Sequence, residues 1–402
     1  MIYTNIVGVD VSKGKSAVAI LSNGVCVHRF TFTHTKTGFQ TLKHYLIKLS
    51  QPIIYFEATG IYSRPIQTFC ECEQVPYVQL NPLSLYFQTS DLRRLKTDRT
   101  DALKIAQNAL KYPHEPTHQF APIYVRLREL TRFHEQVDDD IKLMRSKLHV
   151  ALQQTFPELE YLFASRVSKL TLNIIELFPH PDYVVGQSRT KLKHTLIRQT
   201  DKKISDTKAL RRAEELIRYA KLSYPAVSAN SVQVDEVRYY ARQIKMLLEN
   251  KADLVKQLVE TAKKVREFEL FVSFPGIGDL SAAEIIGESG DLRRFDNANQ
   301  INAYVGIDIN RYQSGTYTRT DHINKRGNAH LRMILFFTVK NMIRQQAVAK
   351  NHIVDYYYRL KKGPHPKRDK VATVACMNKL IYCLYAMVQH HRKYDYAPHH
   401  GL

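Results

Sequence analysis

The chain has 402 residues, is 44% hydrophobic and carries a net charge of +21. That length exceeds one ordinary core and predicts two to three domains, and the hydrophobic share excludes an intrinsically disordered chain. The excess of Lys and Arg points to a polyanionic partner, nucleic acid ahead of an anionic membrane surface.

No apolar run reaches the roughly 18 residues that would span a bilayer, so no membrane partner is expected. The start, MIYTNIVGVD, lacks the basic flank, apolar core and cleavage site of a signal peptide. Five scattered cysteines have no paired CxxC spacing and read as free thiols of a cytoplasmic protein.

Residues 5–9 (NIVGV) form an apolar strand that runs into Asp10. Residues 16–32 alternate as two strands around Asn23-Gly24, a strong hairpin signal. A helix follows over 36–49, then an apolar strand 53–57 ending at Glu57, a helix 61–73 and a strand 76–80. This order describes a mixed α/β sheet with a crossover, the ribonuclease-H-like arrangement. A helical pattern covers 98–111. Long amphipathic stretches over 123–153 and 232–269 read as helices or a coiled coil, paired with each other or with another chain. Between them, 157–230 is basic and helical in tone. Glycines cluster from 271 onward and mark a C-terminal domain, and the tail beyond about 390 is expected to fray.

Two carboxylates, Asp10 and Glu57, sit at strand ends. Asp98 and Asp101, in KTDRTDALKIA, share one helix face at a spacing of three. Such a tetrad suits two divalent cations in phosphodiester chemistry, and its hard oxygens select Mg2+ or Mn2+. Taken singly, the residues have plainer readings: Asp98 as a helix N-cap, Asp101 as a partner of the helix dipole. Arg93, Arg94, Lys96 and Arg99 flank the aspartates, and with Lys13 near Asp10 they are candidate phosphate contacts.

In FPGIGDLSAAEIIGE, Gly276 and Gly278 form a Gly-x-Gly turn before a helix. Such a turn lets backbone amides approach a DNA phosphate in helix-hairpin-helix fashion; an ordinary interhelical turn is the competing reading. Downstream, Ser314 precedes a glycine in a loop rich in Arg311, Arg319, Lys325, Arg326 and Arg332. A nucleophile on phosphorus clamped by cations fits there, as does a plain turn serine.

With both halves read, the segments VGVDVSK, FEATG, LKTDRTDA, FPGIG, FDNANQINAYVGI, YQSG and NKRGNAHLR resemble, in order, the DEDD transposases of the bacterial insertion-sequence-110 family, including its 1111 subgroup. The resemblance implies a RuvC-like catalytic domain (1–120), a helical coiled-coil linker (121–270) and a mainly helical C-terminal transposase domain (271–390). It places the tetrad at Asp10, Glu57, Asp98 and Asp101 and the nucleophile at Ser314. It further implies Mg2+ or Mn2+, double-stranded donor and target DNA, a structured noncoding bridge RNA that pairs with both, and dimers that assemble into a tetramer. The loop after Ser314 is poorer in glycine than the family pattern. The alternative function is a RuvC-like junction-resolving endonuclease that uses water as its nucleophile; a noncatalytic nucleic-acid-binding protein is a third.

Overall fold

The computed structural model describes residues 3–82, 98–165, 167–200, 203–310, 313–314, 317–318, 322–348 and 350–396; side chains of 98, 99, 310, 313, 314, 317 and 318 lie outside the description. The chain divides into two units, Met1–Gln119 and Phe120–Leu402.

The first unit is built on strands β1 (Asn5–Ser12), β2 (Lys15–Ser22), β3 (Val25–Thr33), β4 (Pro52–Glu57) and β5 (Tyr77–Leu80) in the order β3-β2-β1-β4-β5. β1, β2 and β3 form an antiparallel meander, while β4 runs parallel to β1 and β5 parallel to β4. Asn23 and Gly24 both take positive φ at the β2–β3 turn, the backbone that a two-residue hairpin of right-twisted strands requires.

Alternation along β1 separates two cores. Val7, Val9 and Val11 pack with Ile54, Phe56 and residues of helices α1 (Lys36–Leu46) and α2 (Arg64–Cys72). Ile6, Ile53 and Tyr55 face the other way, onto Ile105, Ala106 and Ala109 of α3 (Asp98–Lys111). The sheet is therefore covered on both faces, which explains why β1 and β4 read as apolar runs rather than alternating strands. Segment 113–119 guards the open edge: Thr117 donates its amide to the Tyr77 carbonyl at 2.7 Å, and its hydroxyl accepts from the Gln79 amide at 2.8 Å.

The second unit is organised by two long antiparallel helices, α4 (Pro122–Thr155) and α8 (Val232–Ala262). The N-terminal end of α4 (Leu127) meets the C-terminal end of α8 (Leu258, Ala262) in one core. The opposite ends, Leu148 and Leu152 with Val237 and Ile244, meet in a second. Val137, Ile141 and Leu254 join the helices between these points. The two amphipathic stretches thus bury their stripes against each other within one chain.

The second core is completed by α5 (Lys169–Leu177), α6 (Arg189–Arg198) and α7 (Asp206–Leu222). The first is completed by α9 (Glu267–Val272), α10 (Asp279–Ser289), α11 (Ala298–Val305), α12 (Ala329–Arg344), α13 (His352–Lys362) and α14 (Asp369–His390). The expected helix over 232–269 is broken after Ala262, where the chain turns so that Val265 and Phe268 both reach the core.

Two expectations are corrected. The tail does not fray at 390: the Tyr394 ring packs against Phe274 with centroids 3.9 Å apart and planes tilted by 37°, and Tyr394 donates its amide to Ser273 Oγ at 2.9 Å and meets His352 through its hydroxyl. Aromatic burial holds residues that look polar in sequence. Helix α14 is, by length and composition, long and apolar enough to cross a membrane, with half of that stretch buried in the protein. Asn378 and Lys379 interrupt its apolar run, so a search for unbroken runs passes over it. Its Ala372, Cys376, Leu380, Leu384 and Met387 belong to the C-terminal core.

Candidate active site

β1 and β4 are paired in parallel, with Gly8 beside Tyr55 and Val9 beside Phe56. Asp10 and Glu57 each follow directly on that last pair, toward the ends of neighbouring strands. Both share the parity of Gly8 and Tyr55, so both belong to the face covered by α3.

The seating of α3 on that face depends on Gly8. A Cβ there would fall 2.3 Å from the Ala102 carbonyl oxygen and 2.7 Å from the Ala106 nitrogen. Only a residue without a side chain lets the helix lie this close. Ala102 also packs on Ala17 and Ala19, and Ala17 is the cross-strand partner of Asp10. Asp101, directly before Ala102 in the first turn of α3, is thereby carried to the end of the sheet that bears Asp10 and Glu57. Asp10, Glu57 and Asp101 are all half-buried, and Asp101 keeps a long ion pair to Lys104 at 3.6 Å.

Asp98 opens α3, with its side chain outside the described residues, as is that of Arg99; Arg94 and Lys96 lie wholly outside them. Among the described residues, no three His, Cys, Asp or Glu side chains group as metal ligands. The donor chemistry of Asp10, Glu57 and Asp101, hard carboxylate oxygen throughout, suits Mg2+ or Mn2+. Lys13 is exposed in the β1–β2 turn, three residues beyond Asp10.

The second unit positions Ser314 on a β-ribbon. Ile309 pairs with Ile323 and Asn310 with His322; Gln313 pairs with Thr318 and Ser314 with Tyr317. Arg311 and Arg319 lie outside the described residues. The ribbon is rooted where two backbones touch. A Cβ on Gly306 would fall 2.6 Å from the Gly327 nitrogen, and Gly306 takes φ +74° at the end of α11. Lys325 donates its amide to the Gly306 carbonyl at 2.9 Å, and Asn328 donates to the Tyr304 carbonyl at 2.7 Å. Arg332 donates its guanidinium to the Val305 carbonyl at 2.7 Å, a structural tie. Lys325 and Arg326 are exposed.

Of the Gly-x-Gly pair, Gly276 takes φ +95° and abuts α12, where a Cβ would lie 2.7 Å from Met342 Cγ. Gly278 has open space around its Cβ position and caps the N-terminus of α10.

Sequence reading passed over Glu288. Its side chain is fully buried, yet Arg132 reaches it twice, at 2.8 and 3.2 Å, and Asn328 Nδ2 donates to it at 2.8 Å. Burial pushes its carboxyl up, but these hydrogen bonds and the cations Arg132 and Arg128 outweigh it and hold the acid below its ordinary range. The network ties α4 and α10 to Asn328, at the foot of the Ser314 ribbon. An acid inside the apolar run AEIIGES was the only sequence signal.

A family model described as Transposase matches residues 7–157, and another, described as Transposase IS116/IS110/IS902 family, matches 268–354. The chain belongs to this family of insertion-sequence transposases. The transposase is 24% identical over 304 residues to the insertion element IS116 uncharacterized 44.8 kDa protein of Streptomyces clavuligerus, covering 75% of this chain and 73% of that one. It is 23% identical over 305 residues to the insertion element IS900 uncharacterized 42 kDa protein of Mycobacterium paratuberculosis, covering 75% and 73%. To the transposase for insertion sequence element IS1111A of Coxiella burnetii it is 27% identical over 142 residues, covering 35% and 38%. As a transposase it is an enzyme that cleaves and transfers DNA strands.

Proposed function

We propose that this transposase cuts and rejoins DNA through a covalent phosphoserine intermediate. Asp10, Glu57, Asp98 and Asp101 would hold Mg2+ or Mn2+ in a RuvC-like domain spanning 1–120. Residues 121–270 are the helical, coiled-coil linker, and 271–390 are the C-terminal domain that presents Ser314. The reading is supported by the close contact at Gly8, which draws Asp101 toward the sheet end carrying Asp10 and Glu57, and by the strand order β3-β2-β1-β4-β5.

When bound, the divalent cation supplies charge neutralisation at the scissile phosphate. The Ser314 hydroxyl gives up its proton as its oxygen bonds to phosphorus, and the scissile P–O bond breaks to release a DNA hydroxyl. A hydroxyl of the exchanged strand then attacks the phosphoserine and restores the serine. Each step exchanges one phosphoester for another, so no nucleotide hydrolysis is required. Lys13, Arg94, Lys96, Arg99, Arg311, Lys325 and Arg326, with backbone amides at Gly276 and Gly278, would hold phosphates along the path, while Arg332 braces the Val305 carbonyl.

Sequence choice is assigned to a structured noncoding bridge RNA that pairs with donor and target DNA, and the working form to dimers paired as a tetramer. A strongly basic protein suits that division of labour, in which base pairing reads sequence and protein holds backbone.

Trapping the protein on element-end DNA with Mg2+ tests the chemistry. Protease digestion should leave the DNA on the peptide containing Ser314, and Ser314→Ala should abolish the adduct. Cleavage by Ser314→Ala without an adduct would assign the reaction to water, as in a junction-resolving nuclease.

A further inference from the structure

Helix α4 meets the foot of the Ser314 ribbon through polar groups as well as through its apolar stripe. Arg132 donates to both Glu288 oxygens, at 2.8 and 3.2 Å. One turn on, Glu135 meets His330 Nδ1 at 2.5 Å. Backbone brings α10 equally close: a Cβ on Gly287 would fall 2.5 Å from Thr131 Oγ1 and 2.9 Å from the Leu127 carbonyl oxygen. One short stretch of α4 thus holds both α10 and the start of α12.

Glu288 is a costly residue for that place. It is fully buried, and a carboxylate withdrawn from water recovers its desolvation only through well-made hydrogen bonds. An apolar pair of similar volume often serves stability as well or better. What the acid adds is direction. Its Oε2 atom also accepts from Asn328 Nδ2 at 2.8 Å, and its backbone carbonyl accepts from the same group at 3.3 Å. Asn328 Oδ1 is then left to accept from the Leu331 amide at 3.1 Å, as the N-cap of α12. The Asn328 amide donates to the Tyr304 carbonyl at 2.7 Å. Asn328 is therefore held through backbone and side chain together. It directly follows Gly327, whose backbone abuts Gly306, and residues 307–326, which include Ser314, run from one of these glycines to the other.

We propose that Arg132 and Glu288 are positioning residues for strand transfer. Through Asn328 they fix the point where the ribbon returns to the core, and so the attitude in which Ser314 meets the scissile phosphate. A helix that reads as a linker thereby takes part in presenting the nucleophile. The inference rests on the proposed function in taking Ser314 as that nucleophile.

The test uses full-length protein with Mg2+ on saturating element-end DNA. Three quantities are read: the single-turnover rate of the covalent adduct, DNA affinity and thermal unfolding. In the double variant Arg132→Met, Glu288→Met an apolar contact replaces the charged one. Its unfolding should return close to wild type from the lower temperature of Arg132→Met alone. DNA affinity should not change. The adduct rate should stay at least about tenfold down, because a misplacement of about 1 Å can cost on the order of a hundredfold. A purely structural role would restore the rate along with the stability. Asn328→Ser keeps a capping oxygen for the Leu331 amide and gives up the Nδ2 donor to Glu288. It should show the same split, and it decides the matter if the double variant does not fold. A folded variant with the wild-type adduct rate overturns the inference, as does a loss that lies in DNA affinity alone. Wild-type protein that forms no adduct at Ser314 would overturn the proposed nucleophile, and this inference with it, before any variant is compared.

Discussion

Gly8 and Ala102 touch through backbone alone: a Cβ on the glycine would lie 2.3 Å from the Ala102 carbonyl oxygen. This contact sets the height of α3 above the sheet, and with it the reach of Asp101 toward Asp10 and Glu57. Gly8→Ala must lift the helix or bend the strand, and overpacking of this kind costs about 1–3 kcal/mol. Urea unfolding of the variant measures that loss. DNA cleavage should fall further than the unfolded fraction accounts for, because the carboxylates separate even in folded molecules.

A second backbone contact, between Gly306 and Gly327, supports the Ser314 ribbon. Gly327→Ala should destabilise the C-terminal core by about 1–3 kcal/mol and reduce the covalent adduct disproportionately. Gly306→Ala should be worse by roughly 1–2 kcal/mol, because that position also holds a left-handed backbone. Equal effects of the two substitutions would show that conformation at Gly306 contributes nothing beyond space.

Glu288 predicts an acid limit. Its folded carboxyl is held below the ordinary range, so its contribution is present above the unfolded value, about 4.3, and lost as pH falls through the lower folded value. Melting temperature measured from pH 7 to pH 3 should drop at the acid end. In Glu288→Gln the neutral-pH stability should fall by about 1–3 kcal/mol, since Arg132 loses its charged partner, and the acid drop should shrink. A variant with an unchanged acid drop would move its origin to other carboxylates.

The tail anchor is open to a simple check. Tyr394→Ala removes the ring from Phe274 and the hydroxyl that meets His352, while the backbone amide bonded to Ser273 stays, and should cost roughly 2 kcal/mol for a half-buried aromatic. Unfolding by urea reads it, and no change would return the tail to a frayed state.

Much of the first unit is written locally. Apolar runs, the Asn23-Gly24 turn and helical spacing over 98–111 mark the elements, because those patterns depend on near neighbours. The carboxylates of the proposed site stand out because they end such elements. Gly8 gives no such sign, since its need for space comes from a helix about 94 positions away in sequence. Glu288 is silent for the same reason: its partners Arg132 and Asn328 lie on other elements. The pairing of α4 with α8 rests on a choice between partners that periodicity cannot make. Ser314 stands out only through the family resemblance.

The central claim is that Asp10, Glu57, Asp98 and Asp101 together hold divalent cation. Mn2+ binding to the DNA-free protein, followed by titration calorimetry, tests it without relying on activity. Asp10→Asn, Glu57→Gln, Asp98→Asn and Asp101→Asn should each weaken binding by at least about tenfold. Wild-type Mn2+ affinity in all four variants would contradict the account.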